Sequence, residues 1–106
     1  MDFVFNGHSW RIMFVSPNNP ELYRKNGTVT LGVTDINSRT IYINQNLNSF
    51  LTQKVICHEL VHVACFEYGY VVSEETEEFI ADFLATYGRN VLNVADRIAS
   101  RIFKRA

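Results

Sequence analysis

Three ionisable residues, His58, Glu59 and His62, interrupt the otherwise apolar stretch VICHELVHVACF, residues 55 to 66. Val55, Ile56, Leu60, Val61, Val63 and Phe66 recur around them at helical rather than alternating intervals, so the segment reads as one amphipathic helix. Four residues advance a helix by about 400°, which brings both imidazoles out on one face, a turn apart, close enough to hold one tetrahedral metal ion. Glu59 is offset from His58 by about 100°, so its carboxylate reaches a water on the metal rather than the metal, placing a base beside an acidified water. A lone histidine is more often an ordinary core or surface residue. Here two of the chain's 3 histidines stand at the ligand spacing with a glutamate between them.

Two histidines leave a zinc site incomplete, because catalytic sites use three protein ligands and keep the fourth position open. Cys57 and Cys65 point away from the histidine face, which leaves His8 and the glutamates of SEETEEFIADFLATYG, residues 73 to 88, as candidates. In that segment Phe79, Ile80, Phe83, Leu84 and Tyr87 form an apolar face. Glu74, Glu78 and Asp82 recur every four residues on the other side, beside Ala81 and Ala85, whose small size permits close approach to the first helix. Such an acidic stripe alone is a solvated face with charge suited to a helix N-terminus. Beside H-E-x-x-H it acquires a second use: Glu78 supplies a carboxylate ligand, and Asp82, one turn on, accepts the free ring N–H of a ligand histidine. Glu74, Glu75 and Glu77 remain alternatives for the third ligand.

H-E-L-V-H followed, across a short glycine-containing connection, by EFIAD resembles the gluzincin metallopeptidases, in which a glutamate helix provides the third zinc ligand. The hairpin sequence GVTDINSRTIYIN and the ExxADxxA pattern resemble the minimal gluzincins and the ImmA/IrrE-like peptidases of phages and mobile elements; the resemblance covers roughly residues 32 to 87. It implies a zinc-dependent endopeptidase, with His58, His62 and Glu78 as Zn2+ ligands, Glu59 as general base and Asp82 supporting a histidine. It also implies that a strand edge near Thr30 to Val33 pairs with an extended peptide or protein substrate. A donor to the reaction's oxyanion is expected opposite the metal, with Tyr68, Tyr70, Tyr87 and His8 as candidates. The alternative is a non-catalytic or latent regulatory protein with a structural zinc site, which would have no need of the Glu59 base.

The elements that must position these groups follow from pattern. Phe3 to Phe5 and Ser9 to Val15 flank Asn6-Gly7, a dipeptide suited to a tight hairpin turn, with Trp10, Met13, Phe14 and the N-terminal phenylalanines as core. Residues 16 to 27 carry both prolines and several turn formers and read as a surface loop, with a short helical turn at Pro20 to Tyr23. Residues 28 to 34 and 39 to 43 alternate about the polar DINS as a second hairpin. A helix capped at Asn48 or Ser49 stops at Gly69, a second runs from Ser73 to Gly88, and a third from Asn90 to about Lys104 carries Val91, Ala95, Ile98 and Ile102 on an apolar stripe that completes the core. Strands before helices predict an α+β domain: a small, mainly antiparallel sheet of about four strands packed on the zinc-binding helix, the glutamate helix and the C-terminal helix.

Composition bounds the rest. The chain's 106 residues, 47% apolar and 20% charged, suit a single domain over residues 1–106. A net charge of -1 with no dominant basic arm argues against a nucleic-acid partner, although five of the last eighteen residues (Arg89, Arg97, Arg101, Lys104, Arg105) are basic. No membrane span and no secretory leader are recognisable, so a cytoplasmic monomer is expected. The two cysteines lie eight helical residues apart, about 12 Å and beyond disulfide reach.

Overall fold

The computed structural model describes residues 1–103. Strands β1 (Asp2–Phe5) and β2 (His8–Val15) form the first hairpin, turning on Asn6 (φ 50°) and Gly7 (φ 81°), a left-handed pair that Asn-Gly adopts at low cost. Strands β3 (Gly32–Asp35) and β4 (Thr40–Asn44) form the second. Both hairpins are antiparallel, but β2 and β4 pair in parallel, Ile12 beside Ile41 and Phe14 beside Ile43, giving the order β1-β2-β4-β3. Residue alternation predicts each hairpin and is silent on how two hairpins join. The long connection between them decides it, and parallel neighbours require such a crossover.

That connection is itself held. Its 3-10 turn Pro20–Leu22 is pinned by the fully buried Leu22, Tyr23 bridges to Val29, and Thr30 N–H donates to Leu22 O at 2.9 Å. Residues 28 to 31 therefore belong to the loop, and β3 starts at Gly32, later than the β-branched pattern suggests.

Trp10, Ile12, Ile41 and Ile43 on one face of the sheet meet Val55 and Val63 of α1 (Ser49–Glu67) in the main core. Met13, expected inside, is exposed, because it points to the opposite face of the sheet, which has no helix over it among the described residues; Phe14, also expected inside, is exposed although it shares the face of Trp10 and Ile12 and pairs with Ile43. Helix α1 is not amphipathic: Val61 and Cys65 on its other side pack against Ala81 of α2 (Glu74–Phe83), so it is buried between sheet and helix. Asn48 Oδ1 caps α1 by accepting Leu51 N–H at 2.8 Å, and Gly69 at φ 65° ends it. Ser73 Oγ caps α2 through Thr76 N–H at 3.1 Å. Both cysteines are free thiols, Cys65 buried and Cys57 half-buried.

The second and third helices are not separate. A π turn, Leu84–Gly88, carries α2 directly into α3 (Arg89–Phe103), and Gly88 is helical instead of terminating. Helix α3 extends away from the body, with no buried residue, so Val91, Ala95, Ile98 and Ile102 do not complete the core as their spacing suggests. Lys104 lies outside the described residues.

Glu67, at the end of α1, ties that helix to the sheet. Its inward carboxylate accepts Trp10 Nε1–H at 2.6 Å and Arg39 Nε–H at 3.1 Å and lies 2.7 Å from His8 Nδ1, while Asn6 Nδ2 donates to its carbonyl. His8 is thus engaged here and not at the histidine pair of α1. Burial acts to raise the Glu67 carboxyl, but the hydrogen bonds from Trp10, Arg39 and His8 together outweigh it and hold the group below the ordinary value of 4.5. A depressed folded value means stabilisation that is present above 4.5 and lost as pH falls through the folded value. Glu67→Gln is therefore expected to unfold more easily than the parent at neutral pH, with the difference shrinking in acid. Thermal melts at several pH values check this, and a gap that widens below the ordinary value would contradict it.

Candidate metal centre

The helix period sends His58 and His62 from α1 toward α2, their ring centroids 5.1 Å apart, and sends Glu59 toward β3. Helix α2 answers with Glu78. Its Oε1 lies 2.8 Å from His62 Nε2 and its Oε2 lies 3.2 Å from His58 Nε2. The other ring nitrogens face carboxylates, His58 Nδ1 at 2.9 Å from Asp82 Oδ1 and His62 Nδ1 at 2.5 Å from Glu77 Oε2. Small Ala81, fully buried between the helices, allows this approach.

One ligand atom from each of His58, His62 and Glu78 falls within 4.8 Å of the others. Both Nδ1 atoms face carboxylates, and the tautomer with its proton on Nδ1 leaves each Nε2 with a lone pair toward Glu78. Three electron-pair donors that converge in this way repel one another unless a positive charge sits among them. The donor set therefore fits a divalent cation, held by two histidines and one carboxylate, with the histidines oriented from behind.

Of the acidic residues weighed from the sequence, Glu78 joins the histidines and Asp82 stands behind His58. Glu77 is placed behind His62, and Glu74 only lines the cleft. The position of Glu77 as a partner of His62 was missed, although Glu77 and Glu78 are neighbours facing one helix. Spacing along α2 does not reveal the crossing angle that lets both reach α1.

Glu59 is buried and lies beside this cluster, its Oε2 at 4.0 Å from His58 Nε2. Thr34 Oγ1 on β3 lies 2.8 Å from Glu59 Oε1 and 3.2 Å from the Glu59 carbonyl, a partner that no motif announced. Burial raises the Glu59 carboxyl above its ordinary value of 4.5, assisted by the Glu78 charge and opposed by Thr34, His62 and His58.

Gly32 is what lets β3 come this near. A Cβ there would stand 2.7 Å from Val55 Cγ1 and 3.1 Å from Glu59 Cγ. Gly32→Ala is expected to destabilise the protein by about 1–3 kcal/mol through overpacking. Urea unfolding checks it, and a loss below about 0.5 kcal/mol, the scale of a neutral surface change, would contradict it.

A cleft of about 670 Å3 opens over the site between the loop that carries Tyr23, Arg24 and Lys25, strand β3, and the start of α2. Its lining includes His58, Glu59, His62 and Glu78. Tyr68, Tyr70, Tyr87 and His8, the oxyanion donors considered from sequence, do not line it, whereas Tyr23 and Arg24 do.

No curated protein and no solved structure matches the chain. Residues 7–101, by contrast, match the IrrE N-terminal-like domain, a peptidase family, and that span takes in the histidine pair, Glu59 and the acidic residues of α2. The chain belongs to this peptidase family.

Proposed function

We propose that the protein is a zinc-dependent endopeptidase that cleaves extended peptide segments, with Glu59 as general base. The observation that carries this reading is the position of Glu59: buried, braced by Thr34 through Oε1, with Oε2 beside the cluster of His58, His62 and Glu78. A structural metal site has no need of a carboxylate poised next to the ligands but not among them. His58, His62 and Glu78 would hold the cation, and two nitrogens with one carboxylate oxygen suit zinc. When bound, the cation supplies Lewis acidity, lowering the pKa of water and polarising a carbonyl.

The chain's own groups do the rest. Glu59 accepts the proton of the attacking water at Oε2 while Oε1 stays held by Thr34, and the same oxygen returns that proton to the leaving amine. Burial favours this work, since a carboxyl raised from 4.5 is a better proton acceptor than an ordinary one. Asp82 and Glu77, behind the two rings, would fix their orientation so that both Nε2 atoms could hold the cation with Glu78.

Strand β3 is the edge of the sheet, and Leu31 O accepts Asn44 N–H at 2.9 Å, which sets the alternation of the ladder. Backbone groups of Val33 and Asp35 then face β4, and those of Thr34, with the N–H of Gly32, face outward, where an extended substrate adds as a further strand. Digestion of a denatured protein or a mixed peptide library tests the proposal. Cleavage that stops with a chelator and returns with added zinc is expected. Cleavage unaffected by the chelator, or bound zinc without any cleavage, would overturn it, the second outcome favouring a structural site.

A further inference from the structure

Helical structure runs without a break from Glu74 to Phe103, about 45 Å at ~1.5 Å per residue, and accounts for much of the molecule's 54 Å length. One side of its first half, with Glu77, Glu78 and Ala81, faces α1. The opposite side is apolar and open to solvent. Phe79 is 74% exposed, and Phe83, Tyr87, Val91, Val94, Ile98 and Ile102 follow along the same outer stripe. These residues keep one bearing because the wide π turn takes up the drift that a run of four-residue steps would otherwise accumulate. Soluble proteins rarely leave such a continuous apolar strip bare.

The strip has a symmetry of its own. Thr76, Phe79, Ile80, Phe83 and Leu84 form a shallow apolar groove near one end, and Val94, Arg97, Ile98, Ser100 and Arg101 form another near the other end. The Gly88–Arg89 peptide lies midway in sequence between Phe79 and Ile98, between Phe83 and Val94, and between Thr76 and Arg101. Charge follows the same division. The N-terminal part carries Glu74 and Glu75 with no basic residue through Gly88, and α3 carries Arg89, Arg97 and Arg101 against Asp96 alone. Glu75 and Arg101 border the stripe on the same flank and form no ion pair among the described residues.

We infer that a second copy of this chain occupies the strip, the two long helices lying antiparallel about a twofold axis near Gly88–Arg89. Only an antiparallel pair sets Phe79 and Phe83 of one copy against Ile98 and Val94 of the other and brings acidic start to basic end twice over. Same-flank residues meet in such a pair, so Glu75 of each copy faces Arg101 of its mate. The helix dipoles oppose favourably as well. The dimer is proposed in place of the monomer expected from the sequence, and it does not depend on metal binding or hydrolysis.

Sedimentation equilibrium over a wide concentration range tests this on the full chain. The parent is expected to dimerise and Ile98→Glu to remain monomeric yet folded, since Ile98 is outside the core, with a melt lowered only by the stabilisation that dimerisation itself supplies. Arg101→Glu is expected to weaken the dimer by about tenfold, and adding Glu75→Arg to the same chain to restore it, as only an antiparallel pairing allows. A parent that stays monomeric throughout would overturn the proposal. So would a dimer indifferent to Ile98→Glu, a failed charge rescue, or a monomer whose apolar strip instead binds vesicles of anionic lipid.

Discussion

Glu59→Gln is expected to take up the same metal with the affinity of the parent and to hydrolyse peptide at least about 100-fold more slowly, the lower end of what a positioned acid–base group contributes. The amide keeps the size of the carboxylate and can still meet Thr34 Oγ1, which lies 2.8 Å from Glu59 Oε1, so the packing of β3 on α1 is preserved. It cannot take a proton. His58, His62 and Glu78 are untouched, which is why the metal should stay while the rate falls. Metal titration and steady-state hydrolysis on one preparation separate the two quantities. A variant as active as the parent would remove Glu59 from the mechanism, and one that loses the metal would make it a ligand.

Glu78→Ala is expected to lose more metal affinity than either Asp82→Ala or Glu77→Ala. The carboxylate of Glu78 spans both Nε2 atoms, at 2.8 and 3.2 Å, so its removal deletes a donor and the only charge among the three. Asp82 and Glu77 touch the far nitrogens, and loss of such a support costs about 10–100-fold in affinity, with the ligand set intact. Glu74→Ala and Glu75→Ala should bind like the parent. Competition against a calibrated chelator ranks the five variants. Parental affinity in Glu78→Ala, with loss in Glu74→Ala or Glu75→Ala, would reassign the third ligand.

Much of the site is legible in the residues, because it is built from two helices and helical spacing is rigid. His58 and His62 four apart, Asn48 or Ser49 as a cap, Ser73 as a helix start, and Ala81 beside Glu78 all state local geometry that packing does not alter. Thr34 and Glu77 were not legible in their roles. Each acts across an interface, Thr34 from a strand whose start is set by the loop ahead of it and Glu77 through the crossing of α2 on α1. Gly88 misled for a physical reason: glycine often ends helices by adopting positive φ, but here it sits in helical conformation within a π turn. The stripe on α3 was legible as apolar and wrong as core. Periodicity reveals that a helix has an apolar face and not what that face meets.

Metal content of the purified protein tests the central claim most directly. After exposure to zinc and removal of the excess, elemental analysis by mass spectrometry should find one equivalent of zinc per chain in the parent and in Glu59→Gln, and essentially none in His58→Ala or His62→Ala. No zinc in the parent, or a full equivalent retained when both histidines are replaced, would contradict the account.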